Sequence, residues 1–392
     1  MAEKVIIVGG GIAGMSCALA LQKAKRDFLL ITENLGGRIF YSDSTKVNFG
    51  AYFVMQNYHH AQELVTRESR INALDCLFVD EDLRSFSPLS LRLLGLLPEL
   101  LRLVKELRAF GVHYERYKDN CLTRSQREAL EADPYMAELF QRSASSFISE
   151  KKIERVVAAT GCKFVYACTG VGVDRINALD FLNVCMGMLI PIYKFHFDAL
   201  AISDQFAGSL EIDSVSGLDN TNEQIVLRTR SGKKHGADFL VLATPAAVTQ
   251  QLLCIPEIRH SCKLYTHHVK AKLRDKYAKY KTICFTPGSE VVAIARQDNG
   301  TYLIYTTEKN TDLNQVCESY SALKVVPWER AMYVDGSAYL EQQYDSNIFV
   351  AGDHNGLGLE PAAISGIYAA NQVLKATLRN AHPLPDAAGA RR

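Results

Sequence analysis

Four consecutive apolar residues, Val5-Ile6-Ile7-Val8, break off into glycine at Gly9. A short, wholly apolar, β-branched run is the pattern of a parallel strand covered on both faces. From Ile12 to Lys23 small and apolar residues recur at helical spacing, and Phe28-Leu29-Leu30-Ile31-Thr32 is a second apolar run. The opening therefore reads as strand, glycine turn, helix, strand. From Pro88 to about Phe147 the pattern turns Leu- and Arg-rich and helical, and 160–200 is mixed. Strand pattern returns at Leu210–Val215, Ile225–Thr229 and Phe239–Ala243. The interval 282–306 alternates in short runs, which predicts antiparallel strands. Asn347–Ala351 is a last buried strand before an Ala-rich helix expected over about 361–378, and 381–392 reads as a flexible tail.

Composition adds mostly exclusions. The 392 residues carry 44 Lys+Arg against 43 Asp+Glu, a net charge of +1, so no protein-wide field draws nucleic acid or an anionic membrane. The 48% apolar content excludes wholesale disorder. Ten cysteines form no Cys-x-x-Cys pair, and Cys17, Cys168, Cys185 and Cys284 sit in apolar runs, so they read as reduced thiols of a cytoplasmic protein. No secretory pattern is expected, because the first apolar run ends at once in glycine. His59-His60 and His267-His268 lack the companions of a metal site, so no metal is assigned.

Gly9, Gly11 and Gly14 fit Gly-x-Gly-x-x-Gly, with Ala13 in the same turn. The first glycine permits the turn, the second lets backbone approach a pyrophosphate, and the third permits close helix packing while the helix N-terminus faces the phosphates. Glu33 lies 19 residues beyond Gly14, followed by Asn34, and its carboxylate suits ribose hydroxyls. Gly36-Gly37-Arg38 supplies further anion contacts, and Gly50-Ala51-Tyr52 offers another close-approach glycine. Gly352-Asp353, far downstream before a helix, places a carboxylate where a long flavin cofactor would reach it. A simple NAD dehydrogenase needs no such second element, so FAD is the expected cofactor.

These pieces resemble the flavin amine oxidase superfamily, which includes monoamine oxidases, protoporphyrinogen oxidase, phytoene desaturases and renalase-like proteins. The matching residues are Val5–Gly14 with Glu33, Gly36-Gly37-Arg38, Ala237–Pro245 with Thr244, and Ile348–Asp353 with Ala362–Ala370. The resemblance implies that Gly36, Gly37 and Arg38 line the pyrophosphate and ribityl chain. It implies that Val215 holds adenine by its backbone, that Asp353 meets the ribityl chain or phosphate, and that backbone near Glu360–Ala362 faces the flavin pyrimidine. Amine-oxidising members usually carry an aromatic residue where Gly358 stands, which leans the reading toward a desaturase or protoporphyrinogen oxidase-like role.

No acid–base group stands out. Lys281 resembles the lysine that many members place near flavin N5, yet an exposed lysine ahead of an edge strand is the favoured reading. Trp328 resembles an aromatic segment leading toward the flavin, and core packing is its equal alternative. Arg259 to Lys281 holds eight Lys+Arg and three His against one acid and reads as a solvated helix. The Leu-rich 89–110 is too interrupted by Arg92, Pro98, Glu99 and Arg102 to span a bilayer, which needs about 20 mostly apolar residues. It reads as a core helix pair, with peripheral membrane contact or the roof of a lipophilic tunnel as alternatives.

The expected fold class is α/β: a Rossmann-type FAD-binding domain with a discontinuous α+β substrate domain. The FAD domain would take 1–84, 198–262 and 340–380, and the substrate domain 85–197 and 263–339. The expected function is FAD-dependent dehydrogenation or oxidation of a small or lipophilic organic molecule. Flavin amine oxidation is one alternative, and a non-catalytic FAD-binding interaction protein is another.

Overall fold

The computed structural model describes residues 3–381, apart from 82–84, 89, 222–223 and 336. Most of the expected tail, and Leu89 of the Leu-rich segment, lie outside the described residues.

The first strand, Val5–Val8, sits at the centre of a five-stranded parallel sheet. Its neighbours are Leu29–Thr32 on one side and Phe239–Leu242 on the other; Leu210–Ile212 and Ile348–Val350 form the edges. Strand alternation divides its residues between two cores. Val5, Ile7, Leu30, Val241 and Phe349 face a helical layer, while Ile6, Val8, Ile31, Leu240 and Ile348 face a three-stranded antiparallel sheet, 215–237. Both faces are covered, which is why the run from Val5 to Val8 contains no polar residue.

The helical layer brings together the first helix, Ile12–Lys23, and the last, Leu359–Ala381. Their backbones meet without intervening side chains. A Cβ on Gly366 would stand 2.0 Å from the Ala13 carbonyl oxygen, and one on Gly14 would stand 1.8 Å from that of Gly9.

A second body is built on a seven-stranded sheet. Its order is Cys317–Asp335, His260–Leu273, Tyr302–Thr306, Val291–Arg296, Thr282–Phe285, Cys76–Val79 and Ser85–Phe86. Only Thr282–Phe285 and Cys76–Val79 run parallel. Cys76–Val79 joins this sheet although it lies within the 1–84 segment. Helices between 97 and 185 complete the body. Their starts are specified locally: Ser125 and Glu128 form a capping box, and Asp133 caps a helix whose first residue is Pro134.

The basic block starting at Arg259 departs from the expected solvated helix. His260–Leu273 is a 14-residue strand, not a solvated helix. Lys263, Lys270 and Lys272 are exposed, whereas His267 and His268 are buried and hydrogen-bond Thr306 (2.9 Å) and Thr301 (2.8 Å). Pairing on both sides, with strands 302–306 and 317–335, overrides the charge pattern. Among the described residues no helix is long and apolar enough to cross a membrane. All ten cysteines are free thiols.

Gly366→Ala is expected to push the two helices apart at Ala13 and to cost about 1–3 kcal/mol of stability, read as a lower midpoint in chemical denaturation.

Candidate functional site

A cavity of about 1060 Å³ runs from the carboxyl edge of the parallel sheet to the seven-stranded sheet. That edge is where open α/β sheets bind ligands, because strand ends and helix N-termini converge there. The volume lies at the upper end of small-molecule sites, which span about 300–1,000 Å³.

The first turn of the chain forms one wall. Gly9 has φ +109°, and a Cβ there would lie 2.5 Å from the Ala243 carbonyl oxygen, so only glycine fits. Gly11 differs: a Cβ on it would meet no protein atom within 4 Å, and it lines the cavity. Packing therefore does not demand a glycine here, and the space beside its Cα is open cavity. Gly11 is also the N-cap of Ile12–Lys23, with no side-chain cap and no acid in the first turn. The first N–H groups of that helix carry its positive dipole end to this wall.

Thr32 secures the adjoining loop. Its hydroxyl accepts from the Gly10 N–H (2.9 Å) and donates to the Asn34 carbonyl (2.7 Å), while the Gly36 N–H donates to the Gly10 carbonyl (2.8 Å). Glu33 stands at the rim, exposed, 3.6 Å from Arg230. Asp213, Ser214 and Val215 complete that rim. Hydrogen bonds from Ser231 and Thr229 hold the Asp213 carboxyl down at about 2.

Arg38 crosses the middle. Its Nη1 donates to Asp353 Oδ2 (2.5 Å) and to the Ala331 carbonyl (3.2 Å). Burial would raise the Asp353 pKa, but the charge and hydrogen bond of Arg38 outweigh it and hold the carboxyl below its ordinary value. Asp353 Oδ1 is buried without a partner beside this pair. Next to Asp353, burial depresses the His354 pKa to about 4, so its ring is neutral.

The cavity wall brings together Gly9, Gly11, Ala13, Glu33, Asn34, Gly36, Gly37, Arg38, Gly50, Ala51, Tyr52, Val215, Thr244, Gly352, Asp353, Ala362 and Trp328. Gly14, Glu360 and Lys281 are not on it. Gly14 is spent on the helix contact with Gly9. The Glu360 carboxylate turns away and accepts the N–H groups of His59 (2.7 Å), His60 (3.1 Å) and Ala61 (2.9 Å). Lys281 is 65% exposed and pairs with Asp75 at 2.9 Å; strand alternation turns its neighbour Thr282 inward instead. The Trp328 indole N–H donates to the Thr266 hydroxyl (3.1 Å), which donates to the Phe49 carbonyl (3.1 Å).

The far end went unread in the sequence. Phe78, Phe164, Cys168, Cys284 and Tyr305 line it, drawn from three strands and the helix Cys162–Thr169 with no shared motif. Burial pushes the Cys168 thiol up to about 12 and that of Cys284 well above its usual value, so neither is a ready nucleophile. Tyr58 also lines the wall, its hydroxyl 3.3 Å from where a Gly358 Cβ would stand. An aromatic ring thus reaches this corner from another segment. Among the described residues no group of three His, Cys, Asp or Glu side chains is placed to hold a metal.

Residues 7–67 match the sequence family described as NAD(P)-binding Rossmann-like domain. No curated protein sequence matches the chain. Among solved structures, a double mutant of putrescine oxidase from a redesign of cofactor binding aligns with a TM-score of 0.69 at 12% identity, covering 95% of this chain and 99% of that one. Cyclohexylamine oxidase from Brevibacterium oxydans aligns at 0.62 and 13%, covering 97% and 100%. The chain has the two-domain fold of the amine oxidases. A CLA-producing fatty acid isomerase from P. acnes shares that fold, at 0.67 and 14%, covering 95% and 98%. Within the amine-oxidase fold of this chain, the glycine turn and the Arg38–Asp353 pair lie on the parallel-sheet side and the aromatic end on the other.

Asp353→Asn is expected to cost about 1–2 kcal/mol at neutral pH, since Arg38 keeps its charge beside a neutral amide. A depressed folded pKa gives stability that is complete above the unfolded value, about 3.9, and is lost as pH falls through the lower folded value. The gap between wild type and variant in urea denaturation should therefore hold from pH 7 to about 5 and close below about pH 4.

Proposed function

We propose that the protein is an FAD-dependent oxidoreductase that oxidises or dehydrogenates a small, neutral, lipophilic molecule. The observation that carries this reading is Gly11, a glycine whose missing side chain leaves space only for a ligand, set at the unpaired N-terminus of a helix. Gly9, Gly11 and Ala13 would hold a pyrophosphate by backbone and dipole, with Glu33 at the ribose and Val215 at the adenine. Gly36, Gly37 and Arg38 would continue along the chain to Asp353, whose partnerless Oδ1 suits a hydroxyl donor. Gly50, Ala51, Tyr52, Thr244, Gly352 and the backbone before Ala362 would enclose the ring system. In this division 1–84, 198–262 and 340–380 serve the cofactor, with 85–197, 263–339 and the strand Cys76–Val79 serving the substrate.

FAD, when bound, supplies the hydride acceptor at its N5. The residues of this chain orient the substrate and keep water from it. No lysine or histidine need act as a base. Among the described residues four carboxylates touch the cavity: Glu33 and Asp213 at the rim, Asp353 paired with Arg38, and Glu329 paired with Lys263 at 2.7 Å. Among the described residues none stands in the aromatic end to hold an ammonium, which favours a neutral substrate and a desaturase or protoporphyrinogen oxidase-like role over oxidation of a charged amine. The Tyr305 hydroxyl, buried without a partner on that wall, offers one polar contact. Peripheral contact with a lipid surface through 89–110 suits the same substrate class.

Purified protein should be yellow with an oxidised-flavin spectrum. Gly11→Ala should lower FAD affinity about tenfold or more while leaving the thermal midpoint of the apoprotein unchanged, because a Cβ there meets no neighbouring segment within 4 Å. Colourless wild-type protein that takes up no FAD would sink the reading. Anaerobic mixing with a panel of neutral lipophilic compounds and amines, followed by flavin bleaching, separates the two substrate classes. A Gly11→Ala protein that keeps its biological role without FAD would favour the non-catalytic alternative.

A further inference from the structure

The segment 91–101 shows an apolar face without a cover. Leu91 is 83% exposed, Leu94 67% and Leu101 62%, although the next turns of the same helix, Leu97–Asn120, bury Leu103, Leu107 and Phe110. An apolar cluster of this kind costs solubility and marks a surface that something covers. Within 91–108 the exposed charged side chains have one sign. Arg92, Arg102, Lys105 and Arg108 are exposed around the leucines. Both acids of the stretch are already committed: Glu99 is buried on Arg155 Nε (2.5 Å) and the Val156 N–H (3.0 Å), and Glu106 lies 3.4 Å from Lys151. Arg92 lies 3.8 Å from Asp80. Leucines inside a basic collar complement acyl chains beneath anionic headgroups.

The same turn reaches the cavity. Leu93, between Leu91 and Leu94, is partly buried and, like Phe164, packs against the cluster of Phe78, Phe86 and Cys284. Phe78, Phe164 and Cys284 are cavity wall. Leu93, on the short 3-10 turn Leu91–Leu96, therefore connects the outer apolar face to the aromatic end.

We propose that Leu91–Leu96 and the first turns of Leu97–Asn120 dock the protein on an anionic lipid surface, and that the substrate passes from that surface into the cavity beside Leu93. The route rests on the lipophilic-substrate reading above; the docking itself does not.

The test is co-sedimentation of the full-length, flavin-loaded protein with vesicles of phosphatidylcholine alone and with added phosphatidylglycerol. Wild type should pellet with the anionic vesicles, far less with the neutral ones, and be released in about 1 M salt, where screening shortens to about 3 Å. Combining Leu91→Ser, Leu94→Ser and Leu101→Ser should lower vesicle binding about tenfold or more, with flavin absorbance and thermal midpoint retained because these side chains are exposed. Lys105→Glu with Arg108→Glu should abolish the preference for phosphatidylglycerol. Wild type that stays in the supernatant with every vesicle overturns the proposal. So does a triple-serine protein that binds as well as wild type. A wild-type dimer that the triple change turns into a monomer overturns it too, since a second copy would then be the cover. Colourless wild type that still pellets supports docking while removing the flavin reading, so the two fail separately.

Discussion

Two backbone contacts that leave no room for a Cβ, Gly14 on Gly9 and Gly366 on Ala13, fix the first and last helices together over one parallel sheet. Everything else in the chain must fit between them. Because the outermost elements of the sequence are packed side by side, the intervening residues leave and re-enter the sheet. The sheet edge at Ile348–Val350 is supplied only after the seven-stranded body has been made. Close packing at the glycines also aligns the two helix starts toward the same edge, so the cavity receives two positive dipole ends from opposite ends of the chain. The site is a consequence of the packing rather than an addition to it.

The local part of this architecture was legible. Unbroken β-branched residues at 5–8 can only be a strand covered on both faces, and glycines at 9, 11 and 14 are each demanded by a separate contact or vacancy. Long-range pairing was not legible. Around Lys263, Lys270 and Lys272 the charges of one exposed face resemble a solvated helix, and only the strands at 302–306 and 317–335 reveal that His267 and His268 face inward. The same limit separates Lys281 from Thr282. One residue of register decides which enters the cavity, and register is set by neighbours distant in sequence. The aromatic end could not be anticipated at all, because Phe78, Phe164 and Tyr305 meet only through tertiary structure.

A net charge of +1 is compatible with a cavity suited to an anion because the attraction is built locally. Arg38 is the cation in the middle of the wall, and Asp353 already neutralises it. Helix N–H groups add positive potential at that wall without adding formal charge.

Glu360 links two parts of the wall that share no sequence. Its carboxylate belongs to the last helix yet fastens the backbone of His59, His60 and Ala61, directly beside Tyr58. The helix start and the aromatic ring therefore move as one unit. In evolutionary terms they form an epistatic pair: a change that repositions Tyr58 to admit a differently shaped molecule also disturbs the backbone near Gly358. Diversification of this corner would have to proceed by paired substitutions.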